Sequence, residues 1–113
     1  MYKLFGIPNC DTVKKARTFL EKRSVLVNFI DFKKSAPTEI DIKRWEEAFG
    51  GLPVNTKGVT YKKHKVTFES LRPKEKYLFL IEHSSMLKRP ILENDGKVLC
   101  FGFDEDSYNL ALV

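Results

Sequence analysis

The stretch Tyr2-Lys3-Leu4-Phe5-Gly6-Ile7-Pro8-Asn9-Cys10-Asp11-Thr12-Val13-Lys14-Lys15-Ala16 decides how this chain folds. Tyr2 to Phe5 reads as a short strand, and Gly6 and Pro8 end it. A helix then starts near Cys10 or Asp11. Asp11 and Thr12 suit a helix N-terminus, and Val13, Ala16, Phe19 and Leu20 recur at spacings of three and four, which makes one apolar face for a sheet. Val25 through Phe32 reads as the next strand. Its apolar content predicts burial on both faces, as in a parallel pair joined by a helix.

Beyond this β-α-β unit, Thr38 follows Pro37 and can cap a helix that carries Ile40, Trp45, Ala48 and Phe49 on its apolar side. Gly50-Gly51 ends it. Leu52 to Lys65 is polar, basic and rich in turn residues, and predicts a short helix at most. Pro73 suits the start of another helix, which runs to about His83 with Tyr77, Leu78, Leu80 and Ile81 inward. Pro90–Glu93 and Lys97–Phe101 flank Asn94-Asp95-Gly96, a hairpin signal. A last helix follows Asp104 and carries Tyr108, Leu110 and Leu112. The order predicts one α/β domain over residues 1–113, with a helical insertion at about 37–86. It is the thioredoxin-like arrangement: β-α-β then β-β-α around a mixed sheet, strands 1 and 2 parallel with a right-handed crossover, and the last two an antiparallel hairpin.

The 113 residues suit one domain, and 20 Lys and Arg against 15 Asp and Glu leave a net charge of +5. The basic residues are spread along the chain and mixed with acids. The densest cluster, Lys62-Lys63-His64-Lys65, reads as a solvated turn, so a nucleic-acid partner is not expected. No apolar run approaches the ~20 residues of a membrane span. Met1 to Gly6 lacks the apolar stretch of a secretion signal. The expectation is a cytoplasmic protein with no membrane partner. Two cysteines are too few for a disulfide framework and suit a reducing compartment.

Cys10 stands between a strand end and a helix start, where unpaired N–H groups and the helix dipole favour an anion. That placement lowers a thiol pKa, and Lys14, one turn on, can add positive charge. A buried structural cysteine is the other reading, and the strand-turn-helix position argues against it. Cys100, within Val98-Leu99-Cys100-Phe101, reads as core. Val13 stands three residues after Cys10, so there is no C-x-x-C pair. A mixed disulfide on Cys10 would be released by an external thiol such as glutathione or, second, by Cys100. Pro90 at a strand start is tolerated structurally, and a cis proline facing the reactive cysteine is the functional reading. Arg89 suits a surface ion pair or the binding of an oxyanion or carboxylate. His64 and His83 show no ligand spacing with the cysteines, and no metal site is expected.

The motifs Leu4-Phe5-Gly6-Ile7-Pro8-Asn9-Cys10-Asp11-Thr12-Val13-Lys14-Lys15-Ala16, Asn55-Thr56-Lys57-Gly58-Val59-Thr60-Tyr61, Leu87-Lys88-Arg89-Pro90-Ile91-Leu92 and Phe101-Gly102-Phe103 with Ser107-Tyr108 run the length of the chain. In that order they resemble the arsenate reductase-related (ArsC/Spx/MgsR) family, and most closely its YffB-like branch. The resemblance implies a thioredoxin-like fold with a helical insertion, a single reactive cysteine at Cys10, and Arg89 beside a cis Pro90. True arsenate reductases of the family place a histidine, a serine and two further arginines at the positions held here by Gly6, Val13, Asn55 and Phe101. The function it implies is a glutathione-dependent thiol reductase. Cys10 and Arg89 would be catalytic, with Asn9, Asp11, Thr12, Lys14, Lys57 and Pro90 around the substrate. No cofactor would be bound; glutathione would be the co-substrate, and glutaredoxin a further partner. The alternatives are an arsenate reductase, or an Spx-like redox-responsive regulator that binds RNA polymerase.

Overall fold

The computed structural model describes residues 1–112; Val113, the end of the expected domain range 1–113, lies outside the described residues. By its internal packing the chain divides into two compact units. The first joins residues 1–35 to the segment that begins at Arg89, and the second is Ala36–Lys88.

The first unit is built on a mixed sheet of four strands in the order β2-β1-β3-β4. These are β1 (Tyr2–Gly6), β2 (Val27–Asp31), β3 (Ile91–Asn94) and β4 (Lys97–Phe101). β1 pairs in parallel with β2, from Tyr2 opposite Val27 to Gly6 opposite Asp31. On its other side β1 pairs antiparallel with β3, from Tyr2 opposite Asn94 to Phe5 opposite Ile91. β3 and β4 form a hairpin closed at Asp95 (φ 50°) and Gly96 (φ 82°). Two successive positive φ values are what a two-residue turn needs to match the strand twist, and Asp-Gly tolerates them.

Helix α1 (Asp11–Lys22) buries Val13, Ala16, Phe19 and Leu20, the stripe expected from their spacing. Ala16, Phe19 and Leu20 share a core with Leu4, Leu92, Cys100 and Tyr108. Tyr108 brings in the last helix, α5 (Glu105–Ala111), which Asp104 caps by accepting from the Ser107 N–H at 3.0 Å. Leu110, expected inward with Tyr108, is 79% exposed because two residues along a helix turn a side chain away from its neighbour's face.

Strand β2 corrects a second expectation. It is shorter than Val25–Phe32 and is not buried on both faces. It is an edge strand, so among the described residues no strand pairs with its outer side, and Leu26 just before it is 77% exposed. The Arg17 guanidinium lies 4.2 Å from the Phe29 ring centroid and covers part of this apolar edge.

The second unit holds α2 (Glu39–Phe49), α3 (Val59–Glu69) and α4 (Pro73–Glu82), followed by a 3-10 turn at Ser84–Met86. Thr38 caps α2 through a reciprocal pair: its hydroxyl accepts from the Asp41 N–H at 3.1 Å, and Asp41 accepts from its N–H at 3.0 Å. Gly50, at φ 84°, closes the helix in the left-handed conformation. The inward face of α2 is Ile42 and Trp45; Ile40, Ala48 and Phe49 point outward, contrary to expectation. Ile42 is three residues from Trp45 and shares its side, whereas Ile40 is five away.

The basic run Lys62-Lys63-His64-Lys65 is not a turn but the middle of α3, a helix of 11 residues where at most a short one was expected. Tyr61 and Phe68, two turns apart, anchor it. In α4, Leu80 is buried, Tyr77 and Ile81 are half-buried, and Leu78 is exposed rather than inward. Tyr77 donates to Glu46 of α2, and the Lys88 N–H donates to the Pro53 carbonyl at 2.8 Å.

Candidate active site at the start of the first helix

β1 ends at Gly6, the chain turns through Pro8 and Asn9, and Cys10 caps α1 with extended backbone (φ −128°, ψ 125°). Its carbonyl accepts the first helical bond, from the Lys14 N–H at 2.9 Å. Its thiol is half-buried and free of any disulfide. The sulfur forms no hydrogen bond of capping geometry. The first-turn N–H groups still favour its anion, as the N-terminus of any helix does.

Partial burial acts against the thiolate and is the largest single influence on Cys10. It is outweighed by the Val13 N–H, by a hydrogen bond and charge from Arg89, and by the Thr12 N–H, so the thiol pKa falls below its ordinary value. Lys14, expected to contribute, is not among these groups. It is exposed, and water screens its charge.

Arg89 reaches Cys10 because the next residue starts the return to the sheet. The Arg89-Pro90 peptide bond is cis, and Pro90 is buried. The Pro90 carbonyl accepts from the Gly102 N–H at 2.7 Å, which ties this corner to the end of β4. Gly6 permits the close approach of the three segments. A Cβ built there would lie 2.9 Å from Val13 Cγ2 and 3.8 Å from Pro90 Cα. Sequence reasoning named Gly6 as a strand breaker and as the place of an absent histidine, and missed its packing role. The Val13 N–H was also missed, since a backbone donor leaves no trace in residue type beyond its place three residues into the helix.

Of the residues expected at the site, Cys10, Asp11, Thr12, Arg89 and Pro90 come together in the first unit, at the sheet end where α1 begins. Asn9 and Lys14 flank this point, and both side chains are exposed. Lys57 belongs to the second unit, exposed in the turn before α3. Cys100 is buried in β4, and burial raises its thiol pKa, with Asp104 adding to the effect. Among the described residues no three His, Cys, Asp or Glu side chains are grouped to hold a metal ion. No helix of these residues is long and apolar enough to cross a membrane.

A model of the ArsC family matches residues 5–111. The chain belongs to the ArsC family. Among similar ArsC-family structures, that of the YffB protein is 32% identical, each chain covering 100% of the other, with a TM-score of 0.85. An arsenate reductase (ArsC)-related protein from Brucella melitensis is 31% identical over 96% of this chain and 92% of its own, with a TM-score of 0.69. The global transcriptional regulator Spx of Bacillus subtilis is 32% identical over 94% of this chain and 82% of its own length. The family and the α/β, thioredoxin-like fold read from the motifs are thus both borne out, and in kind this ArsC-family chain is arsenate reductase-like or Spx-like.

Proposed function

We propose that the protein is a thiol-disulfide oxidoreductase that works through the single thiolate of Cys10. The observation that carries this reading is the convergence of the Val13 and Thr12 N–H groups and Arg89 on a half-buried thiol beside a cis proline. The thiolate attacks one sulfur of a substrate disulfide, that S–S bond breaks, and the departing thiolate takes up a proton from water. The product is a mixed disulfide between Cys10 and the substrate. With Val13 three residues on and Cys100 buried, no internal thiol is placed to resolve it. Glutathione is therefore the natural co-substrate, glutaredoxin a further partner, and a reducing compartment such as the cytoplasm the natural setting. Arg89 holds the thiolate and the edge of the incoming sulfur compound, and Pro90 presents backbone to it.

Arsenate reduction makes the stronger demand on this site. A multiply charged oxyanion needs several donors fixed in advance, and losing one typically costs ~100-fold in rate. Arg89 and the first-turn N–H groups are the donors that the site offers, with Gly6, Val13, Asn55 and Phe101 where the resemblance implies four further polar groups. The deciding experiment is steady-state turnover with glutathione and either a glutathione mixed disulfide or arsenate, in the parent, in Cys10→Ser and in Arg89→Ala. Disulfide turnover lost in Cys10→Ser supports the reading. Efficient arsenate turnover lost in both Cys10→Ser and Arg89→Ala would overturn it.

The similarity to Spx favours one second reading, a regulator that docks on RNA polymerase. Spx-like regulators often carry a C-x-x-C redox switch, and Val13 stands where its second cysteine would be, which weakens that reading. Retention of purified polymerase by the immobilised protein would support it.

A further inference from the structure

Helix α1 carries more than the thiol at its start. Lys14, Lys15, Thr18 and Lys22 line one wall of an open groove of about 380 Å³, whose floor is Phe19 and Phe103. Glu105, in the first turn of α5, stands on the lining as well. The three lysines and Thr18 are exposed, while Phe19 is buried and Phe103 half-buried, so the groove has an apolar floor and a cationic wall. Lys14, Thr18 and Lys22 follow Cys10 at intervals of four, the spacing that keeps side chains on one side of a helix.

Resting on the reading of Cys10 as the nucleophile, we propose that this groove selects the substrate: an extended, acidic segment of a protein disulfide. Its carboxylates would face Lys14, Lys15 and Lys22, and an apolar side chain would lie on Phe19 and Phe103. Length argues for a polypeptide. Lys22 is about 18 Å along the helix axis from Cys10 at ~1.5 Å per residue. A tripeptide joined to the sulfur through its middle residue reaches only about 7 Å to either side when extended, and cannot span the groove. A longer segment reaches Lys22 about five or six residues from its cysteine. Charge argues for acidity on the α1 side, because three lysines face one glutamate.

The test uses synthetic peptides with a central cysteine capped as a mixed disulfide with 5-thio-2-nitrobenzoate. Glu, Gln or Lys fills the positions about two to six residues away on both sides. Attack by Cys10 on the peptide sulfur forms the Cys10–peptide disulfide and expels the coloured thiolate, so release is read directly. At low salt the Glu peptide reacts about tenfold faster than the Lys peptide, and the ratio falls toward one at ~0.5 M salt. In the Lys15→Glu/Lys22→Glu variant the ratio collapses or inverts. Since the readout is a ratio within one protein, a loss of folded molecules cancels. A ratio below about twofold in the parent, or one kept in the variant, overturns the groove proposal while leaving Cys10 as nucleophile. No Cys10-dependent release from any of the peptides, judged against Cys10→Ser, overturns both.

Discussion

Replacing Arg89 by Met keeps most of its packing and deletes the charge that favours the Cys10 thiolate. A hydrogen bond to a charged group is worth ~1.5–3 kcal/mol, and the half-exposed position of the sulfur reduces this by screening to about 1.4 kcal/mol. That corresponds to about a tenfold smaller thiolate population at pH values below the titration of either protein. The rate does not follow in full, because a more basic thiolate is a better nucleophile, with a Brønsted slope of ~0.5. Each remaining thiolate of Arg89→Met gains about threefold, so the net loss is about threefold at low pH. Above both titrations every sulfur is ionised and the sign reverses, with the variant about threefold faster. Stopped-flow reaction with a small neutral disulfide, dipyridyl disulfide, across pH gives both limbs. A variant that is slower at every pH, or indistinguishable at every pH, would refute the assignment of Arg89 as the group that holds the thiolate.

Three further outcomes are expected. Gly6→Ala places a Cβ 2.9 Å from Val13 Cγ2, a stiff and fully buried side chain, and destabilises by ~1–3 kcal/mol; in urea unfolding, Gly6→Ala with Val13→Ala should cost clearly less than the two changes summed, and strict additivity would refute the clash. Tyr108 is held above the ordinary tyrosine pKa by burial and by Cys100, so its stabilising effect is complete below the unfolded value of ~10 and is lost as pH rises beyond it; Tyr108→Phe also deletes the bond to the Gly102 carbonyl, costs ~1 kcal/mol at pH 7, and should show a shallower alkaline loss in Tm, which Tyr61 and Tyr77, raised chiefly by bonds to Glu69 and Glu46, keep from vanishing. At pH 7 iodoacetamide should modify Cys10 alone, with Cys100 reacting only in denaturant; equal labelling of the two in the native protein, read by peptide mass, would contradict the raised pKa and burial of Cys100.

The strand-turn-helix from Tyr2 to Ala16 was legible because each part carries a local signal: a short apolar-rich run, a Gly and Pro break, then an apolar stripe. The hairpin at Asp95-Gly96 and the cap at Thr38 were legible for the same reason. α3 was not, since its buried residues, Tyr61 and Phe68, stand seven apart with a basic run between them, and its cap is Gly58. β2 misled because apolar content reports a strand but not its place in the sheet, and an edge is fixed only by the other strands. At the site, Cys10 could be named from type and position, while Arg89 and Pro90 rested on the family resemblance. The exclusion of Lys14 could not, because a charge near in sequence says nothing of where a long exposed side chain spends its time. Gly6 was hidden too: its need for a missing Cβ arises from Val13 and Pro90, and Pro90 arrives from the far end of the chain.

The split first unit bears on how the protein comes off the ribosome. β1 is an inner strand, yet its partner β3 follows β2 only after roughly sixty more residues, roughly 3–12 s of synthesis at ~5–20 residues per second. Throughout that interval the nascent chain carries Cys10 without Arg89 or the Pro90 corner. Its thiol has at most the pull of a lone, fraying helix end. Only when β3 slots in beside β1 does the guanidinium come within reach of the sulfur. Completion of the sheet thus brings in the guanidinium that favours the thiolate, and an unfinished or truncated chain carries the Cys10 thiol without it.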